Sequence, residues 1–265
     1  MHEKIPCSVE ILTRNSARTL TRCLDSVKDF AEIIVLDGNS IDGTLGIAKA
    51  YGAKILRQCE TDDREVCISN FAEVRNKGFD ASTYDWFMYI DSDEYLSSEA
   101  VEEIRSVVTS PASPALVWWQ PRKYVVGGVI IECASTYPNR QIRLFHKSAV
   151  KRFVKPIHEK IEVKEGVAAG MFKHYEYVPL EDLRSTREKW RRYLALEQEA
   201  LRRVPRTRLV RALLRHCGVI VSYMVRNVRS RLFCRGPRMP LSYEWLRQEF
   251  NIRLLFAIIR ALMRK

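Results

Sequence analysis

The chain has 265 residues, 46% hydrophobic and 29% charged, and carries a formal net charge of +12. That is enough apolar content for one sizeable catalytic domain plus an appendage, and no repeat or low-complexity tract interrupts it. It contains no GxGxxG, Walker lysine loop, HExxH or GxSxG, which argues against a dinucleotide oxidoreductase, a P-loop enzyme, a zincin and a hydrolase.

In chain order, Ser8-Val9-Glu10-Ile11-Leu12 predicts a strand and Ala17 to Val27 a helix. Glu32 to Leu36 predicts a second strand ending at Asp37, followed by a turn at Gly38, Asn39 and Ser40. Asp42-Gly43-Thr44 opens a helix through Tyr51, with Asp42 suited to cap it. Lys54 to Arg57 reads as a third strand, Asn70 to Phe79 as a helix with Phe71, Val74 and Phe79 on one face, and Trp86 to Ile90 as a fourth strand. The run WFMYI is short, bulky and free of charge, as befits a central strand covered on both faces. Strands alternating with helices at this spacing predict an α/β fold with a parallel sheet and right-handed crossovers.

Asp91, Asp93 and Glu94 cluster where the fourth strand ends, the edge at which open α/β sheets bind ligands. Two aspartates one residue apart reach a single hard cation, whose other ligands are usually water and substrate phosphates. An isolated DxD is also an ordinary solvated turn or helix cap, so neighbouring motifs decide between the readings.

Four motifs follow in order: Leu12-Thr13-Arg14-Asn15 after strand one, Asp37 to Thr44 after strand two, Ala72-Glu73-Val74-Arg75-Asn76-Lys77-Gly78, and Asp91-Ser92-Asp93-Glu94. Together they resemble the family 2 nucleotide-sugar glycosyltransferases of the GT-A fold, over roughly the first 110 residues. The resemblance implies a GT-A, Rossmann-like sheet that binds a nucleotide sugar, with Thr13, Asn15, Asp37, Asn39, Arg75 and Asp91 on the donor. It implies Asp93 as ligand to Mg²⁺ or Mn²⁺, Glu94 in support, and His174 as a further metal ligand. For Arg75 the residues leave a second reading, a solvated arginine paired with Glu73 or Asp80. Asn76 serves either the same pocket or the loop.

The second half resembles the lipopolysaccharide-core β-glucosyltransferases through Arg143-Leu144-Phe145, His158-Glu159 and His174-Tyr175. This implies Glu159 as the base of an inverting transfer, with His158 orienting it or binding phosphate. The alternative for Glu159 is a strand-edge carboxylate paired with Lys160, at the start of a strand Lys160 to Val163. Ala115 to Phe145 is expected to form the acceptor side. Trp118 or Trp119 would stack on a sugar, and only one of them, because neighbours on a strand point to opposite faces.

Residues 175–265 hold 21 basic against 8 acidic residues, and none is acidic between Leu201 and Tyr243. The arginines alternate with apolar stretches too short for the roughly 20 residues that span a bilayer. Basic helices with apolar faces predict an anionic membrane surface as partner rather than nucleic acid. Packing on the catalytic domain is the alternative. The expected division is 1–177 as catalytic domain, with 1–110 for the donor and 111–177 for the acceptor, and 178–265 as a helical appendage. The seven cysteines form no CxxC pair and no leader precedes the first strand, which predicts reduced thiols in a cytoplasmic protein on the inner face of the membrane.

The expected activity is therefore metal-dependent transfer of a hexose, glucose from UDP-glucose foremost, to a lipid-linked or lipopolysaccharide-core glycan. Other hexosyl or rhamnosyl transfer in capsule or O-antigen assembly, and a non-catalytic nucleotide-sugar scaffold, are the competing readings. A nucleotidyltransferase would need glycines between Leu12 and Leu20, where there are none.

Overall fold

Ile5, Cys7, Val9 and Ile11 alternate with Pro6, Ser8 and Glu10, and this alternation decides which layer covers each face of the first strand. In the computed structural model, which describes residues 3–61, 63, 68, 70–156, 159–202 and 204–264, the four apolar side chains are wholly buried. In chain order the elements are β1 (Ile5–Thr13), α1 (Ala17–Val27), β2 (Phe30–Asp37), α2 (Thr44–Ala50), β3 (Lys54–Arg57), α3 (Phe71–Ala81), β4 (Trp86–Asp91), β5 (Tyr95–Leu96) and α4 (Ser98–Val108). β6 (Val117–Val126), β7 (Val129–Ile130), β8 (Arg140–His146), β9 (Val150–Val154), β10 (Lys160–Val163), β11 (Ala169–Met171) and β12 (Glu176–Pro179) follow. The chain closes with α5 (Leu183–Arg202), α6 (Arg206–Phe233) and α7 (Leu241–Met263).

Two units divide this chain: Met1–Lys123 with Asn139–Val178, and Tyr124–Pro138 with Pro179–Lys265. In the first, the strands run β3-β2-β1-β4-β8-β6-β12-β5. β3, β2, β1 and β4 are mutually parallel, whereas β8 lies antiparallel to both β4 and β6. The expected parallel sheet is thus present and continues into an antiparallel half.

β1 and β4 face two cores. On one side Ile5, Cys7, Val9 and Ile11 of β1 and Trp86, Met88 and Ile90 of β4 join α1 and α4 residues such as Leu20, Leu24 and Ile104. On the other, Phe87 and Tyr89 of β4 join Phe145 and Phe153. The same face of β1 presents Ser8 and Glu10, both wholly buried. Burial of each large apolar side chain contributes about 1.5–3 kcal/mol, so two polar groups here need partners. Ser8 Oγ donates to Glu32 and accepts from the Tyr84 N–H at 3.2 Å. Glu10 is met by α3.

Helix α3 starts where Asn70 caps the Glu73 N–H at 3.3 Å. Asn76 exchanges two 3.0 Å bonds with the backbone of Phe153, which locks α3 to β9. The choice that sequence left open for Asn76 is settled as a structural clamp.

In the second unit α7 packs against α5 through Trp190 and Phe250, 5.6 Å apart, and against α6 through a 3.0 Å bond between His216 Nε2 and the Asn251 carbonyl. Glu244 of α7 is buried and accepts from the Ser135 N–H at 2.8 Å. Cys133 and Cys234, 101 residues apart in sequence, form a disulfide. That corrects the expectation of reduced thiols throughout, and removes the cysteine-based reason for placing the chain in a reducing compartment. Among the described residues no helix is long and apolar enough to cross a membrane.

Gly78 marks how closely α3 approaches β1: a Cβ there would lie 2.0 Å from Glu10 Oε2 and 2.8 Å from Leu36 Cδ1. Gly78→Ala, which in an open helix adds about 1 kcal/mol of stability, is expected to lower it by on the order of 1–3 kcal/mol. Urea denaturation midpoints of the two proteins decide this.

Candidate active site

The parallel strands end side by side at Thr13, Asp37 and Asp91, and the loops beyond them are braced before any ligand arrives. Thr13 Oγ1 donates to Asp37 Oδ1 at 2.9 Å, Ser40 Oγ to the same oxygen at 2.6 Å, and the Ser40 N–H to Asp37 Oδ2 at 2.8 Å. Asp37 is thereby fixed and buried, with one lone pair of Oδ2 left to accept. Asn15 ties the two loops together. Its N–H donates to Ser40 Oγ at 2.8 Å and its Oδ1 accepts from the Ile41 N–H at 2.9 Å. Asn15 and Asn39 both have positive φ, 50° and 57°, a left-handed conformation that asparagine tolerates. Asn39 reaches outward and donates to the carbonyls of Thr61 and Asp63 at 2.6 and 3.0 Å. Asp42 accepts from the Thr44 and Ala17 N–H groups at 3.0 and 3.1 Å, so it serves the starts of α2 and α1.

Next to this cradle lies a buried ionic cluster. Arg75, 1% exposed, projects from α3 and donates to Glu10 Oε1 at 3.0 Å, Asp91 Oδ1 at 2.6 Å and Glu159 Oε1 at 3.5 Å. The solvated pairing with Glu73 or Asp80 is therefore ruled out. Its guanidinium is engaged instead by these three carboxylates. Arg143 of β8 donates to Glu176 Oε1 at 2.8 Å, to Asp91 Oδ2 at 3.5 Å and to Glu94. Arg122 of β6 also donates to Glu94 and approaches Glu176 at 3.4 Å. The guanidinium carbons of Arg75 and Arg143 each lie 4.7 Å from the centre of the Tyr89 ring, an arrangement of cation–π type.

Three guanidiniums thus face five carboxyl groups, and the electrostatics distribute protons among them. Burial pushes the Glu10 carboxyl up to about 8, although Arg75 opposes it. Its Oε2 is buried without a hydrogen-bond partner. Burial also raises Glu94 well above the usual carboxylate range, against the pull of Arg122 and Arg143. Burial acts upward on Asp91 and Glu176 too, but Arg143 with Arg75 overrides it for Asp91, and Arg143 with Arg122 for Glu176, so both are lowered.

Of the expected site residues, Thr13, Asn15 and Asp37 meet in the first cradle, and Arg75, Asp91, Glu94 and Glu159 meet in the cluster. Glu159 pairs with Arg75, where the strand-edge reading expected Lys160. His158 lies outside the described residues. Trp118 is a correction: it is 9% exposed, stacks on Phe172 with centroids 4.9 Å apart, and donates from Nε1 to the Ala115 carbonyl at 2.9 Å. Its strand register turns it into the core, leaving no ring face for a sugar. His174 is exposed, its backbone N–H bonds Glu103 of α4 at 3.1 Å, and among the described residues it joins no group of three metal-ligating side chains.

Among the described residues no three His, Cys, Asp or Glu side chains stand together as a cage for a metal ion. Asp93 is half-buried in the turn after β4, and the side chain of Asp91 keeps 43% exposure despite its two arginines. One or two carboxylates at an open edge fit Mg²⁺ or Mn²⁺ held mainly by phosphate and water.

Sequence reading missed Glu10, Gln58, Arg122 and Glu176. Gln58 is buried and donates from Nε2 to the carbonyls of Thr13 and Leu36 at 3.0 and 2.9 Å, clasping the ends of β1 and β2. A charged residue inside the otherwise apolar Val9-Glu10-Ile11-Leu12 was the available signal for Glu10. Nothing local marks the other three.

Residues 8–127 match the model of glycosyl transferase family 2. A TPR repeat-containing protein of Synechococcus elongatus is 37% identical over 156 residues, 58% of this chain and 35% of that protein. An uncharacterised glycosyltransferase of Rickettsia bellii is 38% identical over 104 residues, 39% of this chain and 33% of that protein. The matched stretch is thus about a third of each relative's length. Among solved structures, S. aureus TarS 1-349 in complex with UDP-GlcNAc aligns with a TM-score of 0.48 and 17% identity, covering 72% of this chain and 66% of that one.

The proton on Glu10 has a measurable consequence. A folded-state carboxyl raised from 4.5 to about 8 contributes stability that is complete below the lower value and lost as pH rises through the upper one. Glu10→Gln keeps the neutral shape at every pH. Its stability relative to the parent is expected to improve as pH rises from about 5 to about 8.5 in denaturant titrations. A difference that stays flat across that window means Glu10 is ionised in the folded protein.

Proposed function

We propose, from the match of residues 8–127 to the model of glycosyl transferase family 2, that the protein transfers a hexose from a UDP-sugar, UDP-glucose foremost, to a lipid-linked or lipopolysaccharide-core glycan with inversion at the anomeric carbon. The observation that carries this reading is the position of Arg75, which touches Asp91 and Glu159 at once. It couples a carboxylate at the edge of the nucleotide-binding sheet to one suited to deprotonate an acceptor.

In this reading residues 1–110 hold the donor and 111–177 receive the acceptor. Asp37, held by Thr13 and Ser40, offers its remaining lone pair to the base or ribose, and Asn15 and Asn39 keep that loop in place. Asp91 accepts from the ribose or a water while its two arginines keep it ionised. Asp93 is the residue that would hold Mg²⁺ or Mn²⁺, together with donor phosphates, and a bound ion would neutralise the departing diphosphate. Glu159 takes the proton of the attacking hydroxyl, and Arg75 sets its orientation. Glu94 holds Arg122 and Arg143 in place behind Asp91. The helical residues 178–265 keep the enzyme peripheral on the inner face of the cytoplasmic membrane, close to a membrane-linked acceptor.

Calorimetric titration with UDP-, GDP- and dTDP-sugars, each with Mn²⁺ and with EDTA, tests the donor assignment. UDP-sugar binding that needs the metal and is lost in Asp93→Asn is the expected result, and failure of every nucleotide to bind would overturn it. Glu159→Gln should keep donor affinity while lowering turnover by about 10²–10⁴-fold. Full turnover in that variant would move the base elsewhere.

A further inference from the structure

Helix α6 has an outward face that nothing in its own unit covers. Val210, Leu214, Val221, Val225, Val228 and Leu232 are between 45% and 69% exposed. At about 100° per residue they fall on one narrow stripe along 28 residues. The opposite side of the same helix holds Leu209, buried, and His216, which contacts α7. The stripe is therefore not a core face caught at an edge. It is a second apolar face.

Its borders carry the information about what covers it. Arg208, Arg211, Arg215, Arg226 and Arg229 are exposed and line one border, and Arg206 and Arg231 stand on the other. The helix contains no acidic residue, and none occurs from 201 to 243. α7 repeats the pattern, with Leu241, Trp245, Ile252, Phe256 and Met263 exposed beside Arg253 and Arg260. Arg202, Arg260 and Arg264 also line a cleft at the far ends of α5 and α7.

From this we infer that α6 is the membrane-docking element of the protein, lying flat with its stripe among acyl chains and its arginine borders on anionic headgroups. A second copy of the chain is a poor occupant of the same face. Stripe-to-stripe pairing, parallel or antiparallel, sets arginines against arginines with no carboxylate to separate them. An anionic lipid surface supplies both the apolar layer and the opposite charge. With arginines on both borders, the helix lies on the bilayer and does not cross it. This inference stands on the second unit alone and is independent of the donor assignment.

The test is co-sedimentation of the full chain with vesicles of phosphatidylcholine alone and with phosphatidylglycerol added, at low and high salt. The parent protein is expected to pellet with the anionic vesicles, less so as salt rises, and to remain free of the neutral ones. The triple variant L214D/V221D/V228D changes only exposed positions, so its thermal unfolding and circular dichroism should match the parent. Its affinity for anionic vesicles should fall at least about tenfold. Replacing Arg211, Arg215 and Arg229 with glutamine should weaken binding and flatten its salt dependence. The inference is overturned if the parent ignores anionic vesicles, or if the triple variant binds them as well as the parent. A parent that sediments as a dimer without lipid, and becomes monomeric in the triple variant, would assign the face to a second copy instead.

Discussion

A guanidinium cannot be left alone in a protein interior, and the first unit buries Arg75 and Arg143 almost completely. The cost of desolvating them is offset only if each carboxylate around them is held at hydrogen-bond distance. That demand organises the site. Arg75 draws Glu10, Asp91 and Glu159 together from β1, β4 and the segment before β10, while Arg143 gathers Asp91, Glu94 and Glu176 from β4, the turn after it and β12. Asp91 belongs to both sets. The cluster therefore ties the parallel half of the sheet to the antiparallel half at the point where β4 ends, and any distortion of one half is felt by the other through this carboxylate.

β4 is able to hold that position because both of its faces are occupied. Trp86, Met88 and Ile90 pack towards α1 and α4, and Phe87 and Tyr89 towards Phe145 and Phe153. Tyr89 does more than fill space, since its ring lies against both buried guanidiniums. The clamp of Asn76 on the Phe153 backbone then fixes the β9 end against α3, and the chain that leaves β9 returns to Arg75 at Glu159. A local helix contact thus sets the position of a residue 83 positions further along the chain than Asn76.

The front half of the molecule was readable because its signals are local. Helix α1 and strand β3 have the bounds that periodicity predicts, and Trp86 to Ile90 is the buried strand its composition announces. Thr13 and Asp37 at the ends of β1 and β2, and Asn15 in the loop after β1, were found by motif, and they do meet. What sequence hid are relations over long separations: Glu10 with Arg75, Arg143 with Glu176, Cys133 with Cys234. No periodicity marks such partners. Trp118 shows the other failure, where a bulky aromatic near a presumed acceptor side turned out to be core, because register with Leu144 and the close approach of Gly170 decide its direction. His174 was named through resemblance alone, and what the fold fixes is its backbone, whose N–H is anchored to Glu103.

The disulfide between Cys133 and Cys234 turns the intervening chain into a covalent ring. That ring leaves the second unit at Pro138, builds β8 through β12 of the first, and returns through α5 and α6. Everything from the Arg143 strand to the Glu159 segment lies on it. A single cut by a protease anywhere on the ring therefore opens the loop without freeing a fragment: both pieces stay on one molecule until the bond is reduced. Such a nicked chain would run as intact protein on a gel without reductant, while the ends at the cut were already free to part.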